Sequence, residues 1–179
     1  MTVNVRRVVT GRTPEGKSVF VSDMEVAPVT LDLLPGAEFH RLWGSDAPVQ
    51  LPSDGSPPPI PLYFPPLGGF RFGLFTVGPD AVTLPPDLDI ATAFAEIQLK
   101  LPGLAEVLEV DHPGMHTTET IDYEVVLSGD VWLELDDGQE VHLEPGDTVI
   151  QNGTRHAWRN KSSRPCVLAV TLIGARAAK

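Results

Sequence analysis

The chain has 179 residues, of which 24 are acidic and 13 basic, giving a formal net charge of −11 at neutral pH. This balance argues against nucleic acid and membranes as partners, because both bind clustered Lys and Arg. The single cysteine, Cys166, excludes an internal disulfide and a cysteine-based zinc cluster. No apolar run has the length of a signal peptide or a membrane span, so a cytoplasmic location is the expectation.

The N-terminal half combines short strand candidates with a proline-rich segment. Eleven of the 18 prolines lie between residues 48 and 86, which predicts extended connections and turns there. We interpret residues 1–86 as N-terminal strands and a Pro-rich arm that packs on the rest of one structural unit. Its strands are predicted at residues 4–10, 17–22, 37–43 and 70–77.

One helix is predicted over residues 89–107, where Ile90, Phe94, Ile97 and Leu101 recur at roughly helical spacing. From residue 115 onward, short strand patterns alternate with turn signals such as the Asp-Gly pair before residue 139. Many short antiparallel strands predict a small barrel or a double-sheet jelly roll. These strands are expected at residues 121–127, 131–135, 140–143, 148–151, 157–160 and 166–172.

The strand at residues 121–127 carries two acidic side chains on one face. Alternate residues of a strand share a face, so Asp122 and Glu124 are expected to point to one side and Tyr123 to the other. Because two nearby buried carboxylates cannot both stay charged at low cost, one would take a proton unless a cation is present.

A partner for these carboxylates is not found nearby in the sequence, since no Lys or Arg lies between residues 101 and 154. The charge therefore needs a metal, a shared proton, or a basic group from the N-terminal half such as Arg71 or His40.

Two segments resemble the two motifs of the cupin superfamily. Residues 115–129, MHTTETIDYEVVLSG, resemble its first motif, and residues 145–160, PGDTVIQNGTRHAWRN, resemble its second. The whole chain is similar to small single-domain bacterial cupins with an N-terminal arm. The resemblance implies an all-β fold, a double-stranded β-helix or jelly-roll barrel formed by residues 87–179, with an extended arm and one short helix.

The resemblance also implies a divalent metal, Zn, Fe, Mn or Ni, inside the barrel. Carried over residue by residue, the implied ligands are His116, Asp122 and His156, with Asp122 where the family has Glu. Thr118 stands where the family has a second histidine, and Gly153 directly follows residue 152 without the usual proline. No organic cofactor is expected.

We expect a small-molecule enzyme that performs proton-transfer chemistry, such as dehydration, isomerisation, decarboxylation or lyase cleavage, on a compact organic substrate. The expected catalytic residues are Glu124, Asp122, His116 and His156. Trp158, Tyr123 and Thr118 are expected to bind the substrate.

Two other functions stay open, together with the quaternary structure. Thr118 in place of a histidine favours a non-catalytic cupin that binds a small ligand, and a metal-dependent dioxygenase is the further alternative. A homodimer is implied by the resemblance. The strand at residues 121–127 is apolar on its outer face too, so something must cover it, and the N-terminal arm is expected to pack on the outer face of the barrel or across a partner subunit.

Overall fold

The computed structural model describes residues 4–177. Within them the chain forms short strands and one α-helix. In chain order these are β1 (Arg6–Arg12), β2 (Ser18–Glu25), β3 (Glu38–Ser45), β4 (Phe70–Val77), α1 (Ile90–Lys100), β5 (Thr120–Ser128), β6 (Val131–Glu134), β7 (Glu140–Leu143), β8 (Thr148–Asn152), β9 (Ala157–Arg159) and β10 (Cys166–Gly174).

The strands form antiparallel sheets arranged as a jelly roll. A five-stranded sheet has the order β3-β4-β10-β5-β8, a three-stranded sheet has the order β7-β6-β9, and β1 and β2 form a separate hairpin. Buried Val126, Leu168, Val131 and Leu133 pack into one apolar core with contributions from both larger sheets. The prediction of an all-β jelly roll with an N-terminal extension and one short helix is confirmed.

The N-terminal half contributes more to the barrel than the sequence interpretation allowed. Strands β3 and β4 were assigned to an arm that packs on the barrel, but β4 pairs with β10 over eight residues and β3 pairs with β4. Both strands therefore belong to the larger sheet, and only the β1–β2 hairpin and the connecting loops lie outside it.

Helix α1 is shorter than predicted and packs against residues of the N-terminal half. The Asp89 side chain accepts a hydrogen bond from the Ala91 amide and so caps its N-terminus. The helix ends at Lys100, before Pro102, and its buried Ile97 joins a core cluster with Leu31 and Phe39. No helix in the part of the chain that the structure describes is long and apolar enough to cross a membrane.

Two arginines hold the Pro-rich segment against the larger sheet. Arg41 donates to the Ile60 carbonyl at 2.8 Å, and Arg71 donates to the Leu62 carbonyl at 3.1 Å and pairs with Asp46 at 2.5 Å. These bonds fix the loop that continues to Tyr63, whose amide donates to the Pro102 carbonyl.

The outer face of the larger sheet is apolar and exposed. Tyr123 on β5 lies opposite Ile150 on β8, and the two are 47% and 52% exposed. Leu127 on β5 and Ile173 on β10 are also exposed. Monomeric proteins rarely expose contiguous apolar patches of more than a few hundred Å².

The homodimer stays a prediction, and this face is where we expect the second copy to bind. Replacing both Tyr123 and Ile150 with Glu should shift the sedimentation coefficient from dimer to monomer at micromolar concentration, because the new charges would be buried unpaired. The Glu119→Gln variant, altered at an exposed acid, should stay dimeric. A wild-type chain that already sediments as a monomer would contradict the expectation.

Candidate active site

A cavity of about 370 Å³ lies between the larger sheet, the loops of the N-terminal half and the segment that follows α1. Most of its wall is apolar and includes Phe39, Phe75, Leu104 and Val170. The ionisable or hydrogen-bonding side chains in its lining are Tyr63, Asp80, His116, Asp122, Glu124, His156, Trp158 and Arg159. An apolar pocket with a few converging polar groups is the usual form of a small-molecule site.

Asp122 and Glu124 enter this cavity from the inner face of β5. They are only 3% and 5% exposed, whereas Tyr123 between them points to the opposite side, so the alternation follows the predicted pattern. Their β10 neighbours are the apolar Leu172 and Val170. Within residues 4–177, no Lys, Arg or His nitrogen lies within 4.0 Å of either carboxylate.

Each of these carboxyl groups also has a buried oxygen without a hydrogen-bond partner, Oδ1 of Asp122 and Oε2 of Glu124. Of the proposed basic partners, Arg71 is held by Asp46 and backbone carbonyls. Both ring nitrogens of buried His40 lack a partner. The expectation that Arg71 or His40 neutralises the pair is therefore wrong: the Arg71 donors are used to fix a loop.

Burial is the main cause of the raised pKa of both carboxyl groups. It raises the pKa of Asp122 to about 6, against the opposing effect of the Thr120 hydroxyl. Burial, followed by the charge of Asp122, raises the pKa of Glu124 to about 8. Near neutral pH the pair therefore carries about one proton and one negative charge, which is the state that general acid–base catalysis requires.

His116 and His156 form a second polar group in the same cavity. Their backbones exchange hydrogen bonds of 3.0 Å, which brings the ring centroids to 4.2 Å. The Nδ1 atom of His116 is 3.1 Å from the Gly114 carbonyl, and that of His156 is 2.9 Å from the Thr154 carbonyl. We assign the ring proton to Nδ1 on this basis, which leaves each Nε2 as an acceptor.

Both histidines are neutral near pH 7. Burial lowers the pKa of His116, and burial together with the neighbouring His116 lowers the pKa of His156 to about 4. The histidines therefore add acceptors to the cavity but no positive charge.

The predicted metal ligands do not converge in this structure. Ligand atoms around one ion lie within about 4.5 Å of one another, because each is about 2 Å from the metal. No three of His116, His156, Asp122 and Glu124 bring donor atoms within 4.8 Å of one another, and the one group in residues 4–177 that does is Asp130, His142 and Glu144. That group lies at the surface. Because the donor atoms of the interior set do not come together, this set does not fit one metal in this arrangement.

Tyr63 is a site residue that the sequence analysis missed. It comes from the Pro-rich segment and lines the same cavity as the carboxylates. Burial and then the charge of Asp122 raise the pKa of its phenol, so Tyr63 stays a neutral hydrogen-bond donor. The available signal was an aromatic pair, Tyr63 and Phe64, inside a proline-rich segment that otherwise reads as a surface loop.

The three predicted substrate-binding residues have different positions. Trp158 lines the cavity, with its ring centroid 6.2 Å from that of His156. Tyr123 lies on the outer face of β5 and is absent from the cavity lining. Thr118 is buried, bonds the Thr120 hydroxyl at 2.8 Å and is likewise absent from the lining. Tyr123 and Thr118 therefore do not reach a ligand in this cavity.

The sequence profile of the family described as "Cupin domain" matches residues 106–172. Among curated proteins, the chain is 48% identical over 69 residues to "Phomopsin biosynthesis cluster protein C'" of Diaporthe leptostromiformis, covering 36% of each protein. It is 30% identical over 106 residues to "Cupin-domain-containing oxidoreductase srdB" of Neurospora crassa, covering 56% of this chain and 54% of that protein. The matches thus span about a third to a half of these fungal relatives.

Two solved structures are similar over most of the chain. The cupin domain of Cnp3 from Schizosaccharomyces pombe aligns with 97% of this chain and 89% of that chain at 10% identity and a TM-score of 0.47. A predicted oxalate decarboxylase from Thermotoga maritima aligns with 83% of this chain and 92% of that chain, at 12% identity and a TM-score of 0.44.

Glu124→Gln should stabilise the protein at high pH. Folding raises the pKa of Glu124 to about 8. The stability linked to this proton is therefore fully present below the pKa that Glu124 has in the unfolded chain, and it is lost as the pH rises through about 8. At pH 9 the variant should exceed wild type in free energy of unfolding by on the order of 5 kcal/mol, since the pKa rises from 4.5 to about 8 on folding and each unit corresponds to about 1.4 kcal/mol. Urea titrations at pH 4 and pH 9 measure this difference, which should vanish at pH 4.

The matched control is Glu119→Gln, which changes an exposed acid just before β5. It should leave stability unchanged at both pH values. A Glu124→Gln variant that is less stable than wild type at pH 9 would contradict the assignment of a costly buried charge.

Proposed function

We propose, from the premise that residues 106–172 of this chain form a domain of the cupin superfamily, that the cavity is the active site of a small-molecule enzyme that transfers protons through Asp122 and Glu124. The observation that carries the proposal is a pair of buried carboxyl groups in the wall of a mostly apolar cavity, with no Lys, Arg or His nitrogen of residues 4–177 within 4.0 Å of them. Perturbed carboxyl groups in a cleft are a frequent mark of catalytic acids and bases.

The protonation states of the two carboxyl groups assign one of them the role of general base and the other the role of general acid. Asp122, with the lower pKa, is the ionised member near pH 7 and accepts a proton from one substrate atom. Glu124 keeps its proton and donates it to a second atom. The pair starts and ends with one proton, so each turnover needs only a proton exchange between the two groups. Isomerisation, dehydration and lyase cleavage all follow this pattern.

The rest of the lining would position the substrate. Tyr63 supplies a neutral hydrogen-bond donor, and the Nε2 atoms of His116 and His156 supply acceptors. The aromatic and aliphatic wall makes the surroundings of a bound substrate less polar than water, which strengthens each of these interactions. The 370 Å³ volume fits a compact organic molecule.

A metal-dependent oxidoreductase, including the dioxygenase alternative, is the second candidate. Two observations favour it: the names of two fungal relatives, both described as cupin-domain-containing oxidoreductases, and the free Nε2 atoms of the histidine pair. Since the carboxylates and histidines do not converge on one ion, we route no step of the proposed mechanism through a metal.

A generic probe tests the proposed proton transfer before the natural substrate is known. The ring of 5-nitrobenzisoxazole opens when a base removes its ring C–H proton, and the coloured phenolate that forms is followed by absorbance. Wild-type protein should accelerate this reaction with an apparent pKa near 6. The double variant Asp122→Asn/Glu124→Gln should lose about 100-fold or more of the rate.

Two controls separate the outcomes of this assay. Glu119→Gln should keep the wild-type rate, and circular dichroism should show that the double variant is folded. A double variant as fast as wild type would overturn the proposal and favour a non-catalytic binding protein. A rate that disappears with a chelator and returns with zinc or iron would overturn it in favour of the metal-dependent candidate.

A further inference from the structure

The polar lining of the cavity contains several hydrogen-bond acceptors, and Arg159, the arginine among the described lining residues, has donors engaged elsewhere. Asp122 and Glu124 each have an unpartnered buried oxygen, and the histidine pair adds two Nε2 acceptors. Arg159 also lines the cavity, but its Nε donates to Glu134 and its Nη1 to the Pro113 carbonyl. A ligand that brings donors and positive charge is therefore complementary to the carboxyl pair and the histidine acceptors.

Aromatic rings form one connected group in the same lining. Phe39 stacks on Phe75 with centroids 4.9 Å apart, Tyr63 meets Phe39 edge-on at 5.8 Å, and Phe64 meets Tyr63 at 4.9 Å. All four side chains line the cavity. Aromatic faces attract cations and pack against apolar rings, so both halves of a cationic, ring-bearing ligand find a surface here.

We infer that the ligand of this site is a protonated amine on an apolar, ring-bearing body. The ammonium group has three donors, which match the carboxyl groups of Asp122 and Glu124 in the cavity wall. A neutral alcohol offers one donor and leaves the buried charge in place, and a carboxylate ligand adds a second charge of the same sign.

This ligand class rests on the proposed function, because it places the substrate at the same two carboxyl groups. The ammonium would lie against the carboxyl groups of Asp122 and Glu124, which brings the rest of the ligand to the place where the proposed proton transfer occurs. Proton transfer at this pair does not itself require an amine, so the two proposals fail separately.

Three probes that share a phenyl ring and a short alkyl chain test the inference: 2-phenylethylamine, 2-phenylethanol and 3-phenylpropanoate. By isothermal titration calorimetry at pH 7, the amine should bind wild-type protein at least about tenfold more tightly than the alcohol, since hydrogen bonds to charged groups contribute that much. The propanoate should bind more weakly than either.

Variants test whether the preference for the amine over the alcohol comes from the two carboxyl groups. In Asp122→Asn/Glu124→Gln the ratio of amine to alcohol affinity should fall to about one while alcohol binding persists, a result that an unfolded protein could not give. The Glu119→Gln control should keep the wild-type ratio. An amine that binds no better than the alcohol, or not at all at millimolar concentration, overturns the inference, as does a preference that survives in the double variant.

The two proposals remain distinguishable in these data. If the protein catalyses the opening of 5-nitrobenzisoxazole but shows no preference for the amine, the inferred ligand class is wrong and the proposed proton transfer is still supported. If the protein prefers the amine but does not catalyse that reaction, the cavity binds cations and the proposed proton-transfer activity is contradicted.

Discussion

The central physical constraint on this structure is the free-energy cost of burying two carboxyl groups on one face of β5. Taking an ionised carboxylate out of water costs several kcal/mol unless a cation or hydrogen bonds compensate. Asp122 and Glu124 lie among apolar β10 neighbours and each has a buried oxygen without a partner. A retained proton lowers this cost, and the cavity beside the pair gives a ligand access to the remaining charge.

The basic groups close to this region act elsewhere. Arg41 and Arg71 donate to carbonyls of the Pro-rich loop, so their charge fixes the backbone that presents Tyr63. Burial and the nearby Arg71 lower the pKa of Arg41. The two arginines thus fix the loop that carries Tyr63, and they do not pair with the carboxyl groups of Asp122 and Glu124.

The strand pattern allowed much of the barrel and the carboxyl pair to be predicted, because the two-residue repeat of a strand is a local property. Strands β4 and β7 have the predicted bounds, and Asp122 and Glu124 share the inner face as expected. Tyr63 could not be found in this way. Its position depends on a proline-rich loop folding back across the sheet, held at Leu62 by Arg41 and Arg71, which lie 21 and 9 residues away in the sequence.

The remaining differences between the sequence-based predictions and the structure concern residues that are far apart in the sequence and close together in space. Motif spacing places His116, His156 and Asp122 in one barrel, but whether donor atoms meet within the radius of an ion depends on strand register and side-chain direction. The membership of β3 in the larger sheet likewise depends on pairing with β4 across 24 intervening residues. Neither property is encoded in a short window of sequence.

Direct titration of the two carboxyl groups tests the central claim. Carbon-13 labels in Asp and Glu side chains, assigned with Asp122→Asn and Glu124→Gln, report each ionisation by NMR. The account predicts apparent midpoints near 6 and 8 for the pair. Midpoints for both groups below about 5, the range of ordinary solvated carboxyl groups, would contradict it.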